Sequence, residues 1–143
     1  MTTLFFLLAK NNAQKVQHLS SQSQSFFFNR KPLLILVSSF EAAHYVDLLL
    51  WSHPADGFIP HTVTDQPSSS LITISIGEER AYDAPYIFNL CAFPLPIQSS
   101  TKELYELYDE TSIEKTNTTQ KKWEFYKKNY PQITILRTEN APQ

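Results

Sequence analysis

Two short runs restrict the fold more than anything else in the chain. Leu4 to Leu8 and Leu33 to Val37 are apolar at every position. A strand with one wet face alternates polar and apolar residues, so a strand apolar on both sides must lie between two covering layers, the situation of a parallel sheet with helices on its faces. The stretch between the runs supplies such a helix. Asn11 or Asn12 can cap it, and Val16, Leu19 and Phe26 recur at roughly helical spacing on a background rich in Ser and Gln. Asn29 to Pro32 is a break. The first run is expected to be a central strand and the second its parallel neighbour, reached by a right-handed crossover.

Ser38 followed three residues later by Glu41 has the form of a capping box, and Ala43, Val46 and Leu50 mark the buried face of a second helix. Pro54 ends that helix, which makes Trp51 to Gly57 a connection and Phe58 to Val63 the next strand. Thr64 to Ser70 is a polar loop. Leu71 to Ile76 alternates like a half-exposed strand, Gly77 to Pro85 is an exposed link, and Tyr86 to Cys91 is another buried strand. Ser100 and Glu103 fit the start of a third helix with Leu104, Leu107 and Tyr108 inside, and Asn117 with Gln120 the start of a fourth that Pro131 stops. This order predicts an α/β fold: a single-domain, open, mostly parallel sheet with helices on both faces, Rossmann-like but without a nucleotide-binding loop. The domain is expected over residues 1–137, with 138–143 a disordered tail.

Composition removes several functions. The chain has 143 residues, enough for one core, and a net charge of −2, too acidic for a protein that grips DNA by neutralising many phosphates. Contact with DNA is therefore expected only indirectly. The two glycines, Gly57 and Gly77, cannot supply a phosphate loop or a dinucleotide fingerprint, and no cofactor is expected. Cys91 is the only cysteine and lies in an apolar run, which fits a reducing cytoplasm. The run Leu4 to Ala9 is too short for the core of a signal peptide and nothing approaches membrane-spanning length, so a cytoplasmic protein with no membrane partner is expected. His44 and Asp47 would share a helix face, with His53, Asp56, His61 and Asp65 close by; these types could hold zinc or move protons, although their spacing fits no metal signature and no metal site is assigned. A small Rossmann-like enzyme using His44, His53 or His61 remains the alternative to a binding protein.

Two aromatic stretches are left. Trp51, Pro54 and Phe58 are too large and apolar for an ordinary surface loop, and on residue type alone the favoured reading is a core plug, with Trp51 packed under its own helix and Phe58 starting a buried strand. In the last helix, Trp123, Tyr126 and Tyr130 fall at i, i+3 and i+7, with Lys121, Lys122, Lys127 and Lys128 beside them. On pattern alone this is an amphipathic helix with its aromatic side on the sheet and its lysines in water. The charge is unevenly placed: Lys102 to Glu114 holds five acids and one base, Lys115 to Lys128 five bases and one acid.

The string Leu50-Trp51, then Pro54, then Phe58 to Pro60 and His61 resembles the chi subunit of the bacterial DNA polymerase III holoenzyme, an accessory protein of the clamp loader. The opening apolar strand, the second strand entered at Lys31 and the basic Trp/Tyr helix follow the family's order, so the resemblance extends over nearly the whole chain. It implies a noncatalytic replication protein with two partners. Trp51, Pro54 and Phe58 would hold the psi subunit or, instead, an accessory helicase. The last helix would bind the C-terminal tail of single-stranded-DNA-binding protein, an acidic peptide ending in Pro-Phe. Trp123 and Tyr126 fall on the family's two aromatic positions, with Lys121, Lys122 and Lys127 as nearby charges. The family's leading arginine falls on Gln120, and a lysine cannot reproduce its bidentate fork around a carboxylate. An interaction domain unrelated to replication is the remaining alternative.

Overall fold

The computed structural model describes residues 1–52, 59–66 and 68–140. In chain order the elements are β1 (Thr3–Ala9), α1 (Asn12–Phe28), β2 (Leu33–Val37), α2 (Phe40–Ser52), β3 (Thr62–Val63), β4 (Ile72–Ile76), β5 (Tyr86–Asn89), β6 (Glu103–Asp109), α3 (Ile113–Asn129) and β7 (Thr134–Thr138). The strands form one sheet in the order β3-β4-β2-β5-β6-β1-β7, with every pairing parallel. The α/β class and the open parallel sheet are as expected.

β1 shows why both sides of its run are apolar. Phe5 and Leu7 enter a core with Leu19 and Phe26 of α1 and Val46 and Leu50 of α2, while Leu4 and Phe6 enter a second core with Tyr126 of α3. Thus α1 and α2 cover one face and α3 the other. Asn11 is the cap of α1, accepting a hydrogen bond from Gln14 N. Ala43, Val46 and Leu50 are buried, as their spacing predicts.

Several expectations need correction. β2 does not neighbour β1: β5 and β6 lie between them, and α1 spans both, because β6 offers β1 a partner over its whole length, from Thr3 opposite Glu103 to Ala9 opposite Asp109. β1 is therefore second from an edge. The cap of α2 is Ser39, whose Oγ accepts from Ala42 N, one residue after the expected Ser38. α2 continues through Ser52, placing Trp51 on the helix instead of in a connection; Pro54 and Phe58 lie outside the described residues. The next strand is only Thr62–Val63, shorter than Phe58 to Val63.

The expected helix from Ser100 is instead strand β6. The last helix begins at Ile113, capped by Ser112, whose Oγ accepts from Lys115 N; Asn117 and Gln120 lie inside it. A seventh strand, β7, for which the sequence pattern predicts no element, carries the chain through Thr138 and pairs with β1, Leu4 opposite Ile135.

Candidate partner-binding surfaces

α2 turns Ala43, Val46, Leu49 and Leu50 inward and leaves Tyr45, Leu48 and Trp51 exposed, at 59%, 53% and 53%. These three recur every third residue and so form one stripe along the helix. Such a row of large apolar groups is uncommon on a free surface and typical of a protein contact. The Trp51 ring meets the His61 ring edge-on at 5.7 Å. His61 is itself held at both nitrogens: Nδ1 lies 2.5 Å from the Ile59 carbonyl and Nε2 2.6 Å from the Asp47 carboxylate. With Ile59 N donating to the Leu50 carbonyl at 2.8 Å, these contacts fasten the segment entering β3 to α2. His61 is thereby a positioning group for the stripe. His44 is exposed on α2, and His53 lies outside the described residues. Among the described residues no three metal-ligating side chains gather.

α3 is divided by depth. Tyr126 is fully buried; its hydroxyl donates to Glu106 Oε2 at 2.6 Å and accepts from Leu95 N at 2.9 Å. Burial, with Glu106 beside it, raises the Tyr126 pKa far above the ordinary phenol value. Lys122 is also withdrawn: its ammonium donates to Glu106 Oε1 at 2.8 Å and to the Cys91 carbonyl. Asn89 donates to the same carboxylate at 2.9 Å. A carboxylate at 0% exposure persists only when its lone pairs are met, and here an ammonium, a phenol and an amide meet them. Of the five residues expected to meet the acidic tail, Lys122 and Tyr126 thus lie beneath the surface, whereas Lys121, Trp123 and Lys127 reach it.

Trp123 is half-buried, packing on Phe6 at 4.9 Å between ring centroids and edge-on to Tyr108 of β6 at 6.1 Å. Lys127 Nζ is 5.9 Å from the Trp123 ring centroid, and the Arg137 guanidinium lies 4.3 Å from that of Tyr108. Between α3 and β7 this leaves a cleft of about 290 Å³ lined by Tyr108, Gln120, Trp123, Glu124 and Arg137. Sequence reasoning missed Tyr108 and Arg137, because both belong to strands it did not assign.

The architecture is that of an open α/β domain presenting an apolar stripe on one face and, on the other, an aromatic cleft lined by one base, Arg137, and one acid, Glu124. The model of the DNA polymerase III chi subunit family, HolC, matches residues 1–134, and the chain belongs to that family. It is accordingly a DNA replication protein of the polymerase III assembly, whose chi family is an accessory subunit. A search of curated proteins found no significant match.

Proposed function

We propose that the protein is a noncatalytic bridge: the α2 stripe holds a clamp-loader-side partner, the psi subunit or an accessory helicase, and the α3 cleft holds the acidic C-terminal tail of single-stranded-DNA-binding protein. DNA is then reached only through that protein. The observation that carries this reading is the separation of the two surfaces. α2 packs over β4 on one face and α3 over β6 on the other, so neither partner obstructs the other. Joining two modest contacts makes the second encounter intramolecular and raises the effective concentration, which is how a protein without catalysis can tether a polymerase assembly to coated DNA.

At the first surface, Trp51 acts with Tyr45 and Leu48, and Pro54 and Phe58 follow it in the chain. At the second, Trp123 supplies the apolar wall and Lys121 and Lys127 the charge. Lys122 and Tyr126 contribute from below by fixing α3 against Glu106.

Calorimetric titrations of the full chain test the reading. A tail peptide ending in Pro-Phe should bind more weakly as salt rises, since exposed charges are screened over about 8 Å at physiological ionic strength. Trp123→Ala should weaken binding at every salt concentration, and Lys127→Glu chiefly at low salt. Equal binding of a peptide lacking the final Phe would sink the tail site. The bridge itself requires one ternary complex with both partners present; mutually exclusive binding would refute it.

A further inference from the structure

We infer that Arg137 of β7, laid on the Tyr108 ring, is the residue that clamps the terminal carboxylate of the peptide bound in the α3 cleft. This rests on the tail-binding reading above and assigns the carboxylate contact to a strand residue outside α3.

The ion pairs among the described residues are Lys15 with Asp109, His61 with Asp47, Arg80 with Glu78, and Lys122 with Glu106. The first and last withdraw Lys15 and Lys122 from service, and Arg137 is in none of them. Its guanidinium is the one planar fork lining the cleft, beside Trp123 and Gln120. With its Cζ 4.3 Å from the Tyr108 ring centroid the guanidinium is held over that ring, so less side-chain freedom remains to be lost on binding, and no carboxylate of the described residues is paired with its N–H groups. A carboxylate matches that edge with two parallel hydrogen bonds, which an ammonium cannot offer. The volume of about 290 Å³ is at the lower limit for small-molecule sites and suits a single aromatic side chain against Trp123. A chain that ends in an aromatic residue carries ring and carboxylate on one residue, so a single residue can meet both Trp123 and Arg137 in this cleft; an internal aromatic cannot. Glu124 lines the same cleft with a like charge and opposes the ligand. Gln120 is neutral there.

The test uses the full chain and an acidic peptide ending in Pro-Phe, prepared as free acid and as C-terminal amide, titrated by calorimetry. The wild type should prefer the acid by about tenfold or more. Arg137→Gln should bind acid and amide alike, Arg137→Lys should restore part of the preference, and Glu124→Gln should tighten the acid form. Thermal melts should stay at the wild-type value for these exposed positions, which separates the carboxylate contact from a packing role. If Arg137→Gln keeps the wild-type preference for the acid, the assignment to Arg137 is overturned and the tail site stands. If the wild type binds neither form, the tail site fails and the assignment falls with it.

Discussion

The Lys122 ammonium lies 2.8 Å from the Glu106 carboxylate, and both side chains are closed off from solvent where α3 crosses β6. Removing one member leaves the other charged and buried. Lys122→Met should therefore cost about 3–5 kcal/mol of stability, whereas Lys122→Met with Glu106→Gln, which removes both charges, should recover much of that loss. Urea unfolding measures both. A single variant within about 0.5 kcal/mol of wild type would show that the pair is not closed in solution. The same geometry rules out Lys122 as the place to probe surface charge, because Lys122→Glu would set two carboxylates together inside the core.

A second pair is pH-sensitive. Burial pushes the Asp109 carboxyl up, but the Lys15 ammonium at 2.7 Å and the hydrogen bonds from the Thr111 hydroxyl and amide outweigh it and hold the pKa below the ordinary value. A depressed folded value contributes stability above the unfolded value of about 3.9 and loses it as pH falls through the folded one. Lys15→Met should lower stability by about 1 kcal/mol at pH 7, with the gap from wild type closing below about pH 4. A gap that stays constant down to pH 2 would contradict this.

The end of α1 holds a small correctable strain. Arg30 has a φ of 53°, Arg30 N donates to the Phe27 carbonyl at 3.2 Å and Lys31 N to the Phe26 carbonyl at 2.9 Å. This pattern closes many helices and usually carries glycine at the left-handed position. Arg30→Gly should raise stability by up to about 1 kcal/mol, seen as a higher melting temperature. A lower one would mean that the arginine side chain has a packing role.

Docking and folding should separate along α2. Tyr45→Ala and Leu48→Ala should each weaken capture of the clamp-loader-side partner by about 1 kcal/mol or more with little change in melting temperature. Leu50→Ala, at 0% exposure, should cost about 2–5 kcal/mol of stability. Partner binding unchanged in both surface variants would remove the stripe from the interface.

Why some of this was legible in the sequence and some was not comes down to Glu106. From Glu103 to Asp109 the acids and the apolar residues Leu104, Leu107 and Tyr108 fall at helical spacing only if Glu106 is counted as a solvent-facing residue. In the structure Leu104 and Glu106 point into the α3-side core while Tyr105 faces the other layer, so the period is two and a buried charge occupies an apolar position. Its partners, Lys122, Tyr126 and Asn89, are 16, 20 and 17 residues away, beyond any local pattern. The same pairing draws Lys122 inside, against a pattern that puts the lysines of this helix in water, while Tyr126 lies on the sheet as that pattern predicts and not at the surface the resemblance implies. By contrast, Leu4 to Leu8, Leu33 to Val37 and the Asn11 cap depend on their own neighbourhoods, and these were readable. Trp51 stands out as an aromatic too large for a surface loop and Trp123 only as a position matched by the family resemblance, while Tyr108 and Arg137 can be set beside Trp123 only once β6 and β7 are known.

The register of β1 also has a consequence in time. Leu4 pairs with Leu104 on one side and Ile135 on the other, so β1 is synthesised about a hundred residues or more ahead of both its neighbours. At a synthesis rate of about 5–20 residues per second, its five consecutive apolar side chains wait roughly 5–20 s for the first partner strand. During that interval β2 can find β4 and β5, but β1 has no ladder to join. β1 is thus made ahead of the other strands of this sheet but secured only once β6 has emerged, and until then the nascent chain depends on α1, or on a chaperone, to keep Leu4 to Leu8 from other chains.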